Sequence, residues 1–596
     1  MSKELKTRDQ IPQELTWDVS RLYKDQEACR ADLAAALKLA KDFSERFEGH
    51  LQQGGSLLSE AIKAYEAIVK KLDRTLTYAS LLASVDLTNN EYVALNQEAG
   101  MKAAEISSLL SFWAVELAAL PEETLQQAIR ENPNYAIYLG DIKAWKEHQL
   151  SAKEEALLAA LEPSLDLPSS LYETTKAADM RFPELNLKDG RHPLSYVLYE
   201  NEYCGSPDTD LRRESFRAFS ETLRKYQETT AAIYNGQIQK EKILSRQRGF
   251  DSVIDYLLFH QKVPRKLYER QLDITMEKLA PVMRRWAKLL QQAHHLEEMH
   301  YSDLKLSLDT TIPPQISVED SKQYIKEAME PMGKDYQAMI MRAFPERWFD
   351  FAQNIGKQTG GYCTVPVDAG PFILLNWTGG IDEVYTMAHE LGHAAQGLLC
   401  LKANSLLQSD FSWYDVESPS TFHEMLLSHS LMKRAKTPDE KKKVCAQMIE
   451  KTYYHNFVTH FLEGYYQREV YRLVDQGQNL RADDLNRLFR ETLEKFWGDE
   501  VILDEGAELT WMRQPHYYNG LYSYTYSASL TISTEMYQRV QKEGEAVVGD
   551  WLKFLSAGGP IPPIEHARLA GIDIEDGSAL ERTIAFISDL VSQLEA

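Results

Sequence analysis

Cysteine is scarce in this sequence. Its 596 residues include five cysteines, Cys29, Cys204, Cys363, Cys400 and Cys445. The number is odd and no two of them form a C-x-x-C pair, which argues against a disulfide framework and against a zinc ribbon. We therefore expect reduced and mostly buried thiols.

Basic charge and long apolar runs are also lacking. Lys and Arg number 66 against 89 Asp and Glu, a net charge of −23, which repels phosphate backbones and anionic bilayers. No stretch reaches the roughly 18 apolar residues of a membrane-spanning helix, and the first twenty residues carry no apolar segment typical of a secretory signal. The sequence thus predicts a soluble, cytoplasmic protein that binds neither nucleic acid nor membranes.

Helical patterns dominate what is present. Residues 25–146 and 213–300, and most of the chain after Asp382, place apolar residues three and four positions apart in an Ala-, Leu- and Glu-rich background. Residues 304–317 and 360–380 instead favour short strands, the second as a hairpin turning at DAG. We predict a mainly α fold with a small β insert. The polar stretch at 201–212 suggests two domains, 1–205 and 206–596.

One short motif, HELGH, follows the predicted hairpin. Its two histidines, His389 and His393, stand four residues apart, so a helix places both imidazoles on one face, where they can bind a single cation. Glu390 lies next to His389 in the sequence, and its carboxylate can reach a water molecule bound to that cation. Asp382 is the predicted N-cap of this helix. The alternative is a pair of structural histidines.

A catalytic zinc site needs a third protein ligand. The segment YDVESPSTFHEMLLSHSL offers Glu417, with Thr421 and Glu424 on the same face of a predicted helix. The chain after the first helix can fold back and bring Glu417 to the two histidines as the third ligand. Glu424 can then accept a hydrogen bond from a ligand histidine and fix its tautomer.

These residues resemble a known family. HELGH followed by ESPS and a later Glu, the stretch GPFILLNWTGGIDEVYTMAHELGH, the segment from His516 to Ser527, and AGGPIPPIEHARLAGIDI are similar to the thimet-type oligopeptidase family of zinc metallopeptidases. The resemblance implies a large helical body around a deep substrate channel, and cleavage of internal bonds in short peptides by a metal-activated water.

The resemblance also implies roles for individual residues. His389, His393 and Glu417 match the ligands of one zinc ion, Glu390 the general base, and Glu424 the carboxylate that orients a ligand. His516 and Tyr526, and then Tyr522, match the groups that bind the substrate carbonyl. Tyr524 and Asn376 are the further residues expected to bind substrate.

Other interpretations stay open on the sequence. A zinc exopeptidase would need a fixed charge that holds a peptide terminus, and nothing in the sequence excludes one. A non-catalytic peptide-binding protein would have a structural zinc or none, and Glu390 argues against it. The tyrosines could instead form an aromatic core or a mobile loop rich in glycine and tyrosine. Cobalt or manganese could use the same ligands as zinc.

Overall fold

The computed structural model describes residues 6–309, 315–559 and 561–596 of the chain. Helices dominate these residues, which confirms the predicted mainly α fold. The first half contains these α-helices: α1 (Gln26–Phe47), α2 (Gly55–Val85), α3 (Asn90–Leu109), α4 (Phe112–Ala119), α5 (Glu122–Glu131), α6 (Ala136–Trp145), α7 (Ala152–Leu165), α8 (Leu167–Thr174), α9 (Tyr196–Leu198), α10 (Thr209–Gln247), α11 (Val253–Gln261), α12 (Arg265–Ile274) and α13 (Ala280–Ala293).

The second half holds the elements that build the site. Its α-helices are α14 (Val318–Ala328), α15 (Lys334–Met341), α16 (Ile381–Ala403), α17 (Ser418–Arg434), α18 (Pro438–Gln447), α19 (His460–Asp475), α20 (Ala482–Trp497), α21 (Ser523–Glu543), α22 (Val548–Ser556), α23 (Pro563–Leu569) and α24 (Ser578–Glu595). Two π-helical segments, Met448–Tyr453 and His455–Thr459, lead into α19.

The strands are few and short. Strands β1 (Leu185–Leu187) and β2 (Gly190–His192) form an antiparallel pair, and β3 (Phe349–Asp350), β4 (Tyr362–Thr364) and β5 (Phe372–Leu374) form a sheet of order β3-β5-β4. Strands β4 and β5 pair antiparallel, as the hairpin prediction requires. The prediction of strands in 304–317 is wrong for the described residues 304–309 and 315–317, and residues 310–314 lie outside the described part.

Strand β5 packs on both of its faces. Phe372 and Leu374 join a cluster of buried residues from the N-terminal segment, including Trp17 and Tyr78. The residue between them, Ile373, belongs instead to the largest core, which the helices from α10 onward share. Because neighbouring side chains of a strand point to opposite faces, this one strand joins the N-terminal helices to the main core.

The largest core extends upstream of the predicted domain boundary. It includes Met180, Leu185 and Tyr203, all on the N-terminal side of residue 205. A separate cluster holds residues of α1 to α6, such as Phe43 and Trp113. The division into 1–205 and 206–596 stays a prediction.

A helix that crosses a bilayer must be both long and apolar. Across the described ranges, no single helix meets both conditions. One sharply bent pair, Asn90–Ala119 with Glu122–Glu131, passes on length and composition alone.

Candidate metal centre

Helix α16 carries the HELGH motif and begins at Ile381, one residue before the predicted cap. Gly380 occupies the N-cap position, and the Glu383 carboxylate accepts from the Gly380 backbone N–H at 2.6 Å. Asp382 therefore lies inside the first turn, where its carboxylate accepts from Lys451 Nζ at 2.9 Å. The prediction that Asp382 caps this helix is wrong because the glycine takes the extended conformation that a cap requires.

The two histidines of α16 face the same side, as their spacing predicts. The rings of His389 and His393 lie 5.0 Å apart at an angle of 78°. On the opposite side, Val384, Met387 and Leu391 are fully buried in the main core. This burial fixes the rotation of the helix, and with it the direction of both imidazoles.

Helix α17 brings the third ligand to the histidines. Glu417 occupies its N-cap position, and Glu417 Oε2 lies 3.3 Å from the Nε2 atoms of both His389 and His393. The ligand atoms of these three residues all lie within 4.8 Å of one another. This is the set of two imidazoles and one carboxylate that a catalytic zinc uses, with a position left for water.

A glycine that sequence reasoning missed permits this approach. A Cβ atom on Gly392 would lie 2.3 Å from the backbone oxygen of Pro419, so the backbones of α16 and α17 meet at this point. The signal was visible in the motif itself, because Gly392 stands between the two histidines in the helix and has low helix propensity.

Glu424 lies behind the ligands, in the place predicted for it. Its Oε1 accepts from His389 Nδ1 at 2.7 Å, and its Oε2 accepts from the Thr452 hydroxyl at 2.5 Å. Glu424 thus engages Nδ1 of His389, and the other ring nitrogen, Nε2, faces Glu417. A carboxylate on Nδ1 directs Nε2 toward a metal ion, so the donor set fits zinc.

The two glutamates of the centre have different electrostatic surroundings. Burial opposes ionisation of Glu417, but the charge of His393 and hydrogen bonds from both histidines hold its pKa well below the usual range. Burial raises the pKa of Glu390, and the neighbouring histidines oppose this only in part. Glu417 thus suits a permanent ligand, and Glu390 suits a group that exchanges protons.

A cavity of about 1080 Å³ opens in front of the centre. Its wall includes the three ligands, Glu390, Glu424, and the rings of Tyr522 and Tyr526. The Tyr522 hydroxyl donates to Glu417 Oε1 at 3.3 Å. His516 stands one layer behind, stacked on Tyr522 with ring centroids 5.6 Å apart.

Tyr524 does not join this group. Helix α21 begins at Ser523, so Tyr522 and Tyr526 share a face and Tyr524 points away from it. Its ring is buried, and its hydroxyl donates to Gln261 at 2.6 Å. In the sequence, the alternation of Tyr522, Tyr524 and Tyr526 suggests that all three share one surface. On a helix, however, Tyr524 lies on a different face from the other two.

Asn376 also lies apart from the zinc ligands. Its amide nitrogen donates to the backbone oxygens of Gln358 and Gly360, at 3.0 and 2.8 Å. It lines a second cavity of about 1090 Å³, which shares four wall residues with the first: Gly361, Asp382, Thr386 and Lys451. Asn376 thus bonds to the 358–360 backbone and lines the second cavity, and its role in substrate binding stays a prediction.

A second group of histidines near the centre was also missed. His460 and Glu463 from α19 meet His516, and these three residues again place ligand atoms within 4.8 Å of one another. The spacing of His460 and Glu463 by three residues on a helix was the available signal. His516 comes from a distant part of the chain, so only the fold reveals the group.

Comparisons with known proteins agree with this geometry. The sequence profile of Peptidase family M3 matches residues 203–586, and that of Oligopeptidase F matches 116–182. Oligopeptidase PepF of Bacillus subtilis is 25% identical, covering 100% of this chain and 89% of the relative. An oligoendopeptidase F homolog of Lactococcus lactis is 24% identical, covering 99% and 98%.

Solved structures share the fold. A Chlamydophila abortus crystal structure has a TM-score of 0.84 at 23% identity, covering 99% of both chains. The oligoendopeptidase-F of Enterococcus faecium has a TM-score of 0.74 at 21% identity, covering 95% of this chain and 97% of the other. With a family profile that matches well over half of its length and the ligand set of His389, His393 and Glu417, the chain belongs to peptidase family M3 and is a zinc metallopeptidase.

Proposed function

We propose that this peptidase is an oligoendopeptidase, which cleaves internal bonds of short peptides at the centre formed by His389, His393 and Glu417. One observation carries the proposal: Glu390 and two tyrosine rings line the same cavity wall as the three ligands. A zinc ion in this centre supplies Lewis acidity, which acidifies water and polarises a peptide carbonyl.

Glu390 is the proposed general base. It neighbours His389 in sequence, is 6% exposed, and has a pKa that burial raises. A carboxylate of this kind accepts the proton of the attacking water. It then returns the proton to the amine nitrogen as the peptide bond breaks, so the same group acts first as base and then as acid.

Tyr522 and Tyr526 are the proposed donors to the carbonyl oxygen. Burial raises the pKa of both hydroxyls, so both keep their protons at neutral pH and can donate. A donor placed where negative charge develops lowers the barrier of acyl transfer. His516, stacked on Tyr522, is proposed to hold this donor in position.

Strand β4 is the proposed contact for the substrate backbone. The order β3-β5-β4 leaves β4 at the edge of its sheet, and its residues Tyr362, Cys363 and Thr364 line the cavity. An extended peptide can pair with such an edge through main-chain hydrogen bonds, which recognise the backbone regardless of side chains.

We also propose a cytoplasmic location, where short peptides arise and thiols stay reduced. The support is that all five cysteines are free, and Cys29, Cys400 and Cys445 are buried. A reducing compartment suits such a chain.

The deciding experiment uses an internally quenched peptide that is blocked at both ends. We expect cleavage of an internal bond, lost on chelation and restored by zinc. Glu390→Gln should keep zinc and lose turnover by roughly a thousandfold or more, because the base is gone, whereas Glu417→Ala should lose both zinc and turnover.

Two results would contradict the proposal. Cleavage that needs a free peptide terminus would favour an exopeptidase, and normal turnover by Glu390→Gln would remove the assigned base. His423→Gln is the matched control: this buried histidine lies on α17 beside Glu424 but binds Tyr336 and the Ala388 backbone, so zinc content and the catalytic ligands should persist.

A further inference from the structure

The group formed by His460, Glu463 and His516, here called the histidine-glutamate cluster, lies next to the catalytic cavity. His460 is the first residue of α19 and Glu463 follows one turn later on the same side. Both residues are almost fully buried, at 4% and 1% exposure. His516 reaches them from a 3-10 turn, Pro515–Tyr518.

The cluster repeats the geometry of the zinc centre. Glu463 Oε2 lies 2.9 Å from His460 Nδ1 and 3.4 Å from His516 Nδ1, and the two rings are 4.8 Å apart at 75°. In the zinc centre the corresponding values are 3.3 Å, 3.3 Å, 5.0 Å and 78°. Ligand atoms of a tetrahedral zinc, with bonds of about 2.0–2.2 Å, lie about 3.3–3.6 Å from one another. The Glu463–His516 pair already has this spacing, and the Glu463–His460 pair, now at hydrogen-bond distance, would separate by about 0.4 Å on binding.

The charge of the cluster favours a cation. Burial alone would raise the pKa of Glu463, but His460 and His516 hold it at about 2, so the carboxylate is ionised. Its Oε2 also accepts from the Ser523 hydroxyl at 3.2 Å. Its other oxygen, Oε1, is buried without a hydrogen-bond partner in the described part of the chain. A buried, unpaired carboxylate oxygen needs a compensating partner, which a metal ion can provide.

We propose that His460, Glu463 and His516 form a second divalent-metal site, separate from the catalytic centre, which takes Zn²⁺ or a similar cation. Binding replaces any proton on the two Nδ1 atoms, because only unprotonated imidazole nitrogen coordinates a metal. His455, whose Nε2 lies 3.0 Å from His460 Nε2, contacts the opposite nitrogen of that ring and fixes its orientation.

A metal ion in this site would affect the catalytic tyrosines, because the two histidine ligands stack on their rings. The His460 ring stacks on Tyr526 with centroids 4.1 Å apart, and His516 stacks on Tyr522. An ion bound by His460 and His516 would also fix the positions of both rings, and with them the tyrosines that stack on them. Excess zinc should therefore inhibit peptide cleavage. This second step rests on the proposed function, whereas the metal binding itself does not.

The test of binding does not depend on activity. Zinc bound to the full chain is measured by equilibrium dialysis and metal analysis, with Co²⁺ absorption as an independent probe of coordination. We expect wild type to take up a second equivalent at higher zinc concentration, and His389→Ala/His393→Ala to retain one equivalent. Adding His460→Gln to that double variant should abolish the remaining binding.

Matched variants make the result interpretable. His429→Gln, on α17 and bonded to Gln541, should leave both equivalents in place. If circular dichroism shows that His460→Gln does not fold, Glu463→Gln replaces it in the comparison of zinc uptake, because this substitution keeps the shape of the side chain. A wild type that saturates at one equivalent overturns the site. So does equal zinc uptake by the double variant with and without His460→Gln.

The inhibition is read from turnover relative to each protein's own rate at one equivalent of zinc. Wild type should lose about tenfold or more of its rate when the second site fills, and His460→Gln should lose far less. Unchanged wild-type turnover at two bound equivalents would keep the metal site and overturn its inhibitory role.

Discussion

At the scale of single residues, the function depends on where each polar group points. Glu390 and Glu417 are both buried glutamates in the same site, yet burial raises the pKa of one and two histidines lower the pKa of the other. Their roles as base and ligand follow from these surroundings, which residue type alone does not specify.

The two neighbouring tyrosines Tyr526 and Tyr524 offer a matched pair. Tyr526→Phe removes a hydroxyl at the cavity wall, and we expect kcat to fall about a hundredfold with little change in KM or zinc content. Tyr524→Phe removes a hydroxyl bonded to Gln261 in the core, which should cost about 1 kcal/mol of stability and leave kcat near wild type. Steady-state kinetics and thermal melting separate the two effects. Equal kinetic losses would contradict the assignment.

Glu241, a buried residue of α10, connects stability to pH. Burial raises its pKa to about 7, although Tyr471 and Gln237 donate hydrogen bonds to its carboxylate. Between pH 4.5, its ordinary pKa, and pH 7, the folded protein binds more protons than the unfolded chain, so stability falls as pH rises, by up to about 3 kcal/mol.

Replacing this carboxyl should remove its pH dependence. Because an amide does not ionise, the difference in melting temperature between Glu241→Gln and wild type should shift in favour of the variant from pH 5 to pH 8. Glu545→Gln, at an exposed position, is the control and should track wild type. A difference that stays constant across this range for Glu241→Gln would contradict the argument.

At the scale of elements, the site depends on how closely two helices approach. A Cβ on Gly392 would collide with the Pro419 backbone, so Gly392→Ala should push α17, with Glu417, away from the histidines. We expect zinc affinity to fall about tenfold or more and stability by about 1–3 kcal/mol. Zinc titration followed by melting of the zinc-loaded protein measures both.

Another helical glycine provides the control for this substitution. A Cβ on Gly100, in α3, meets nothing within 4 Å, so Gly100→Ala should bind zinc normally and gain up to about 1 kcal/mol from helix propensity. Normal zinc affinity in Gly392→Ala would show that the helices can separate without moving Glu417.

The sequence could predict features that one element determines. The spacing of His389 and His393 predicts their shared face because a helix has a fixed period, and the hairpin of β4 and β5 follows from its turn residues. Tyr524 shows the limit, since its position depends on where α21 begins. The histidine-glutamate cluster depends on contacts between distant segments, which no local pattern contains.

At the scale of the whole molecule, the catalytic centre lies in the wall of one of two adjoining cavities. The two adjoining cavities, of about 1080 and 1090 Å³, have room for an extended peptide but none for a folded domain. We therefore expect a cleavable peptide sequence to resist cleavage, by about a hundredfold or more, when it is placed in a rigid loop of a stable host domain.

The same host, unfolded by a destabilising core mutation, provides the comparison. Cleavage of the loop should rise with the fraction of unfolded host, measured by gel electrophoresis against time. Equal cleavage rates for the folded and unfolded hosts would contradict this expectation. They would mean that the cavities open far more widely than they do in this structure.

The two-faced packing of strand β5 constrains how this protein can change over generations. Phe372 and Leu374 must fit the N-terminal helices, while Ile373 must fit the main core. A chimera could join the first 205 residues of one relative to the remainder of another. It would place side chains against β5 that differ in shape from those it packs with here. We therefore expect gene exchange between relatives to tolerate crossovers elsewhere more readily than crossovers that separate β5 from the N-terminal helices packed on it.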